Sequence, residues 1–258
     1  MRAHLVQIDI AWEDRKANFA RARALLDDAD VEPGDLIVLP EMFDTGFSMA
    51  TERTADTDGA TLRFLGDMAR EFRATVQGGR TVAVGAMAHN RAPVLGPDGA
   101  LIAEYAKIHP FTYGKEHERF IGGTEVVTYE WRWGAESIRV CPAICYDLRF
   151  PELFRLGLRR GAEVYAIGAN WPEARQHHWR ALLIARAIEN QAVVLGVNRT
   201  GKDINLNYAG GTIAVSATGE VLGELAMAEG VLSLEADIKA ARGWRSRFPA
   251  WRDSRLNS

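Results

Sequence analysis

The chain has 258 residues, of which 47% are hydrophobic, 25% charged and 9% aromatic, and this ordinary globular composition excludes fibrous repeats and disordered low-complexity chains. A formal net charge of -3 at pH 7 argues against nucleic acid or an anionic membrane as the partner of its surface. The only two cysteines, Cys141 and Cys145, would sit roughly 13 Å apart in an extended stretch, beyond disulfide reach, which points to a reducing compartment.

In chain order, His4 to Ile10 alternates and meets Asp9, Glu13 and Asp14 early. That pattern is a strand and not a secretory leader, so the chain reads as mature from Met1 and cytoplasmic. Asn18 to Leu26 carries Phe19, Ala22, Leu25 and Leu26 at helical spacing, and Pro33-Gly34 introduces the strand Leu36 to Leu39. The spacing then predicts a helix over Thr61 to Phe72 and a strand over Thr81 to Met87, with a hairpin turning at Pro97-Asp98-Gly99. Further strands are expected near Val126 to Trp131, Ile138 to Ala143, Val164 to Ile167 and Ala192 to Val197. Helices are expected near Pro151 to Arg160 and Arg175 to Asn190. Another hairpin turns at Thr218-Gly219-Glu220, and Gly230 to Leu234 reads as the last strand.

Strands such as Val193-Val194-Leu195 look buried on both faces, so two mixed sheets stacked inside two helical layers are expected. No Pro/Gly/Ser-rich linker divides residues 1–258, which read as one domain. The tail from 242 to 258 mixes arginines with Trp244, Phe248 and Trp251, and it is expected to dock on the body or on a second subunit. Apolar runs are cut by Arg186 or Asn198 well short of the roughly 18 residues a membrane span requires.

Three residues stand out chemically. Cys145 lies where an apolar strand runs into a polar turn and then a helix, a junction that can hold a thiol on a sharp turn with the next N–H free for an oxyanion. Cys141 lies inside the strand and fits a structural role. Glu41 follows four apolar residues and Pro40, where burial is expected to raise its pKa and make it a proton carrier near neutral pH. Lys107 closes the strand Leu101 to Ala106, and only five of the 31 basic residues are lysines. A buried lysine is costly unless paired. The six histidines form no zinc signature, and Gly78-Gly79 and Gly210-Gly211 match neither a P-loop nor a dinucleotide fingerprint. Spacing leaves open a Cys-His pair using His109 or His117.

Around these residues, Leu39-Pro40-Glu41-Met42-Phe43, Tyr105-Ala106-Lys107-Ile108-His109-Pro110 and Ile144-Cys145-Tyr146-Asp147-Leu148-Arg149-Phe150-Pro151-Glu152 resemble the three catalytic motifs of the nitrilase (carbon–nitrogen hydrolase) superfamily. The likeness extends through Ala169-Asn170-Trp171-Pro172, Arg186 to Gln191, Gly196 to Arg199 and Phe248-Pro249, and it is greatest to the omega-amidase branch. It implies an α/β fold of four layers, an α-β-β-α sandwich with two mixed sheets. It also implies Glu41 as general base, Cys145 as nucleophile, Lys107 with the Tyr146 N–H as oxyanion holders, and Glu116 as a second glutamate orienting Glu41 or substrate. A small-molecule amide substrate, no cofactor, no metal and a homodimer or larger assembly follow from the same likeness. For a short dicarboxylate monoamide such as 2-oxoglutaramate, Arg175 matches the position of a carboxylate clamp, and Phe43, Phe111 and Trp171 are candidate pocket walls. An N-carbamoyl compound or deaminated glutathione as substrate, or a non-catalytic binding protein of the same fold, are the alternative readings. Ala106 and Ser216-Ala217 depart from the family pattern, which carries Asp before the lysine and Asp-Pro in the late hairpin.

Overall fold

The computed structural model describes residues 1–255. In chain order its strands are β1 (Arg2–Gln7), β2 (Leu36–Val38), β3 (Thr75–Gln77), β4 (Arg80–Val84), β5 (Met87–Leu95), β6 (Leu101–Ala106), β7 (Tyr129–Trp133), β8 (Glu136–Ile144), β9 (Val164–Ala169), β10 (Val193–Asn198), β11 (Thr200–Lys202), β12 (Asn207–Ala209), β13 (Ile213–Val215), β14 (Val221–Glu224) and β15 (Gly230–Glu235). The helices are α1 (Arg15–Asp27), α2 (Thr51–Thr54), α3 (Ala60–Phe72), α4 (Pro151–Arg159), α5 (Gln176–Asn190) and α6 (Ile238–Arg247), with short 3-10 turns between them.

Two mixed sheets form the centre. The first runs β15-β1-β2-β3-β5-β4, with β6 also paired to β5, and the second runs β14-β13-β10-β9-β8-β7. Period-two alternation gives each strand two apolar faces, and each face finds a separate core. Leu5, Val38 and Val94 from the first sheet meet Trp131, Val140, Val164 and Leu195 from the second. On the outer face of the first sheet, Val6, Ile37 and Val76 pack on Ala22 and Leu26 of α1 and on Leu65 and Met68 of α3. On the outer face of the second, Cys141, Tyr165 and Val194 pack on Phe154 of α4 and on Trp179 and Leu183 of α5. The layer order is therefore α-β-β-α, as the composition of the strands implied.

Most expected elements fall within a few residues of their predicted limits, but three differ. The single strand expected over Thr81 to Met87 is a tight hairpin: β4 ends at Val84, the chain turns at positive-φ Gly85, and β5 begins at Met87. The strand that follows α3 in parallel with β2 is the short β3, which an apolar-run reading passes over. Val126 to Thr128 lie outside any strand, since β7 starts only at Tyr129. In the tail, α6 lies against the body, where Arg245 donates to the carbonyls of Gln191 at 2.7 Å and Ala162 at 2.8 Å. Residues 256–258 of the expected docking tail lie outside the described residues. No helix among the described residues is long and apolar enough to cross a membrane.

Candidate active site

The ends of β2, β8 and β9 open on the same side of the stacked sheets, and the chain segments that leave them converge. Glu41 sits three residues beyond β2. Its backbone is clamped between two glycines: a Cβ on Gly79 would lie 2.3 Å from the Met42 nitrogen, and one on Gly168 would lie 2.9 Å from the Glu41 nitrogen. These close approaches explain glycine at both positions. Asn170, just past β9, donates its backbone N–H to Glu41 Oε2 at 2.9 Å and its side-chain amide to the Glu41 carbonyl at 2.6 Å.

Lys107 follows β6 and is 2% exposed, so the strand-end charge is fully inside the protein. Its Nζ donates to Glu41 Oε1 and to Glu116 Oε2, both at 2.8 Å. Asn90 of β5 closes the ring by donating to Glu41 Oε1 at 2.7 Å and to Glu116 Oε1 at 3.0 Å. The Phe111 N–H adds a bond to Glu116 Oε2 at 2.6 Å. Two carboxylates and one ammonium are thus desolvated together, and each charge has partners, as burial of charge demands. Asn90 was not among the residues the sequence singled out; a lone Asn inside a strand of mixed polarity carries no signal of its own.

The electrostatics correct one expectation. Burial by itself pushes the Glu41 carboxyl up, but the adjacent Lys107 charge and the hydrogen bonds from Lys107, Asn170 and Asn90 outweigh it and hold Glu41 below the ordinary range. Glu116 is the carboxyl that ends up raised, by burial and by the negative charge of Glu41 against the pull of Lys107. Burial opposes the Lys107 charge too, yet Glu116 and Glu41 hold its pKa above that of a free lysine. The two carboxyls are thus shifted in opposite directions, Glu41 down and Glu116 up.

Cys145 follows β8 in a left-handed backbone conformation with φ 45°, a strained geometry for a residue with a Cβ. The turn places its thiol at the wall of a narrow cavity lined also by Phe47, Phe111, Tyr146, Arg149 and Trp171. Burial and the charge of Glu41 push the Cys145 thiol well above its usual range, so the resting group is a neutral thiol that needs a base. The Tyr146 N–H lies in the first turn of the 3-10 helix Cys145–Arg149, where helix N–H groups have no intrahelical partner. Cys141 is fully buried and also free, and burial, with the nearby Asp147 charge, raises its thiol to about 12.

Of the four residues expected to hold substrate, three line this cavity: Phe111, Trp171 and Arg175. Phe43 does not. Its side chain is wholly buried in the core on the outer face of the first sheet, 6.0 Å from the rings of both Phe19 and Phe64, and Phe47 supplies the aromatic wall instead. The Glu41-to-Phe47 stretch is a series of turns, so strand alternation could not tell which aromatic faces inward. A second arginine that sequence reasoning missed, Arg149, lines the same cavity, with its guanidinium 4.8 Å from the Trp171 ring centre. Arg175 lies 5.6 Å from that of Phe111. Among the described residues, neither guanidinium has a carboxylate partner.

A family model described as carbon-nitrogen hydrolase matches residues 2–246. The chain belongs to the carbon–nitrogen hydrolase family. It is accordingly a hydrolase acting on carbon–nitrogen bonds, in agreement with the motif resemblance. The hydrolase is 35% identical over 257 residues to an omega-amidase of Yersinia enterocolitica, a match that covers 98% of this chain and 96% of the relative. It is 32% identical over 253 residues to a 2-oxoglutaramate amidase of Bacillus subtilis, covering 97% and 96%. Among solved structures it resembles a carbon–nitrogen hydrolase superfamily protein from Xanthomonas campestris that carries an arsenic adduct in its active site. That pair shares 35% identity and a TM-score of 0.92, covering 100% of this chain and 98% of the other.

Proposed function

We propose that this hydrolase is a thiol amidase that splits the terminal amide of short dicarboxylate monoamides, of the 2-oxoglutaramate class, into acid and ammonia. The observation that carries the reading is one cavity with the Cys145 thiol and two guanidiniums without carboxylate partners in its wall, the thiol feeling the charges of Glu41 and the buried Lys107, which are bonded to each other. In this reading Glu41 takes the Cys145 proton as the sulfur attacks the amide carbon. The Lys107 ammonium and the Tyr146 N–H hold the oxyanion. Collapse of the tetrahedral adduct breaks the C–N bond, and Glu41 returns the proton so that ammonia leaves and a thioester remains. Water, deprotonated by Glu41, attacks that thioester; the carboxylic acid departs and the thiol regains its proton. Glu116 keeps Lys107 charged and fixed throughout. Arg149 and Arg175 hold the distal carboxylate, a role that suits a bidentate, permanently charged fork.

The same reading makes residues 1–258 one catalytic domain of the cytoplasm, active as a homodimer. Exposed Ile188 and Phe248, near the half-buried Trp251 of the tail, support a second copy covering that face. Light scattering measures the assembly. Ammonia release from 2-oxoglutaramate, succinamate, glutamine and an N-carbamoyl amino acid tests the chemistry. The first two are expected to turn over, and Cys145→Ala is expected to lose roughly 10⁴-fold in kcat, as for removal of other enzymatic nucleophiles. Unchanged turnover in that variant sinks the mechanism, and preference for the N-carbamoyl compound replaces the substrate class.

A further inference from the structure

Two stretches of chain must be held in mutual register for such a site to work, the one carrying Lys107 and the one carrying Cys145. They come from different sheets, since β6 belongs to the first and β8 to the second. Asp147, two residues after Cys145, is fully buried and its carboxylate reaches both. Its Oδ2 accepts from the Tyr105 hydroxyl at 2.7 Å and from the Ile144 N–H at 3.0 Å. Its Oδ1 accepts from the His109 N–H at 3.0 Å and from His109 Nδ1 at 2.8 Å. The donors from the lysine segment thus lie two residues before and two residues after Lys107. Every hydrogen bond between residues 105–109 and 144–149, among the described residues, ends on this one side chain.

We infer that Asp147 is a positioning residue that sets the Cys145 sulfur against Lys107 and Glu41. The inference rests on the reading of Cys145 as nucleophile and extends it to a residue that touches no reacting atom. Three features support it. First, the bond to the Ile144 N–H closes the turn directly before Cys145, whose left-handed φ of 45° needs an outside restraint to persist. Second, a carboxylate can only accept, so His109 carries its proton on Nδ1. Its ring is then fixed by Asp147 on one side and by stacking on Phe150, with centroids 3.7 Å apart, on the other. His109 is in this way a donor to the clasp, and this distinguishes it from the general base that sequence spacing left open. Third, four donors on a fully buried carboxylate leave it no freedom to follow either segment alone, so the sheets move together at this point.

The test compares Asp147→Asn, the double variant Tyr105→Phe with His109→Leu, and His109→Asn, whose amide can replace the Nδ1 donor. For each, kcat and KM for 2-oxoglutaramate, the rate of Cys145 alkylation by iodoacetamide, the pH profile and the thermal unfolding midpoint are measured. Misplacement of reacting groups by about 1 Å costs on the order of 100-fold. Asp147→Asn and the double variant are therefore expected to lose kcat by roughly 10- to 100-fold with KM within about threefold, and to slow alkylation in parallel at temperatures where they are fully folded. His109→Asn is expected to recover most of the rate with an unchanged pH profile. If the folded variants keep kcat and alkylation near wild type, or lose them only as they unfold, the inference is overturned. A dead, folded His109→Asn with an altered pH profile also overturns it, making His109 a base. Should Asp147→Asn not fold, the double variant decides alone. Activity surviving in Cys145→Ala would instead remove the underlying reading, which keeps the two failures apart.

Discussion

Buried beside the cavity, Lys107 lies 2.8 Å from carboxylate oxygens of both Glu41 and Glu116, whereas in the cavity wall Arg149 and Arg175 face aromatic rings and no carboxylate. The cluster is buried, and both carboxylates in it share the one Lys107 ammonium. Such a group is held in fixed geometry before any ligand arrives, which is what stabilising a charge that develops during a reaction requires. The wall arginines are half-buried and stacked, so their charge is directed but unanswered. In the proposed function this difference separates two tasks, the reaction for the paired cluster and recognition for the two arginines.

Three experiments press on that contrast. The largest effect is expected from Lys107→Met, which leaves two buried carboxylates facing each other. Loss of one partner from a buried ion pair costs about 3–5 kcal/mol. Urea titration is expected to show a loss of that size, and ammonia release is expected to vanish even where the variant is folded. A variant as stable as wild type would show that the cluster is not held together by its charges. Next, Arg149→Met and Arg175→Met are expected to leave the fold intact and to raise KM by roughly 10- to 100-fold for carboxylate-bearing amides, the value of a charged hydrogen bond. An equal rise for a neutral amide such as butyramide would take that arginine out of carboxylate recognition. The smallest effect concerns pH. Glu41 is held below its ordinary value of 4.5, so it is already ionised where a free glutamate would begin to protonate. The acid limb of kcat/KM is therefore expected below that value, measured by initial rates at saturating salt. Its contribution to stability has the same sign: present above the unfolded pKa and lost as pH falls through the lower folded one. A limb near neutrality would make the raised Glu116 the controlling group instead.

Much of this site could be read before folding was considered. Glu41 and Cys145 each follow an apolar run that announces where a buried strand stops, and Lys107 follows the strand Leu101 to Ala106. Glu116 was recognisable only through the motif likeness, because it sits in a 3-10 turn with no period to mark it. Phe43 was assigned to the cavity and packs in the core, since turns erase the alternation that would have told it from Phe47. Arg149 lay in plain view in the cysteine motif, but nothing in a linear sequence says that its guanidinium turns back over Trp171. The direction of the Glu41 shift is likewise the reverse of what its sequence context implies. Burial was visible from the apolar approach to Glu41, whereas the neighbours that overrule it come from β5, β6 and the residue after β9.

By itself, then, the sequence determined the alternation of strands and helices, the layered class that two-faced strands demand, and the family to which the three motifs belong. These follow from local periodicity and from short stretches of residues. Only the tertiary structure decided which carboxyl is shifted down and which up, which aromatics and arginines line the cavity, and how Asp147 joins the lysine and cysteine segments. Those properties depend on distances between segments far apart in the chain, where a shift of about one hydrogen-bond length changes a pKa or breaks a contact.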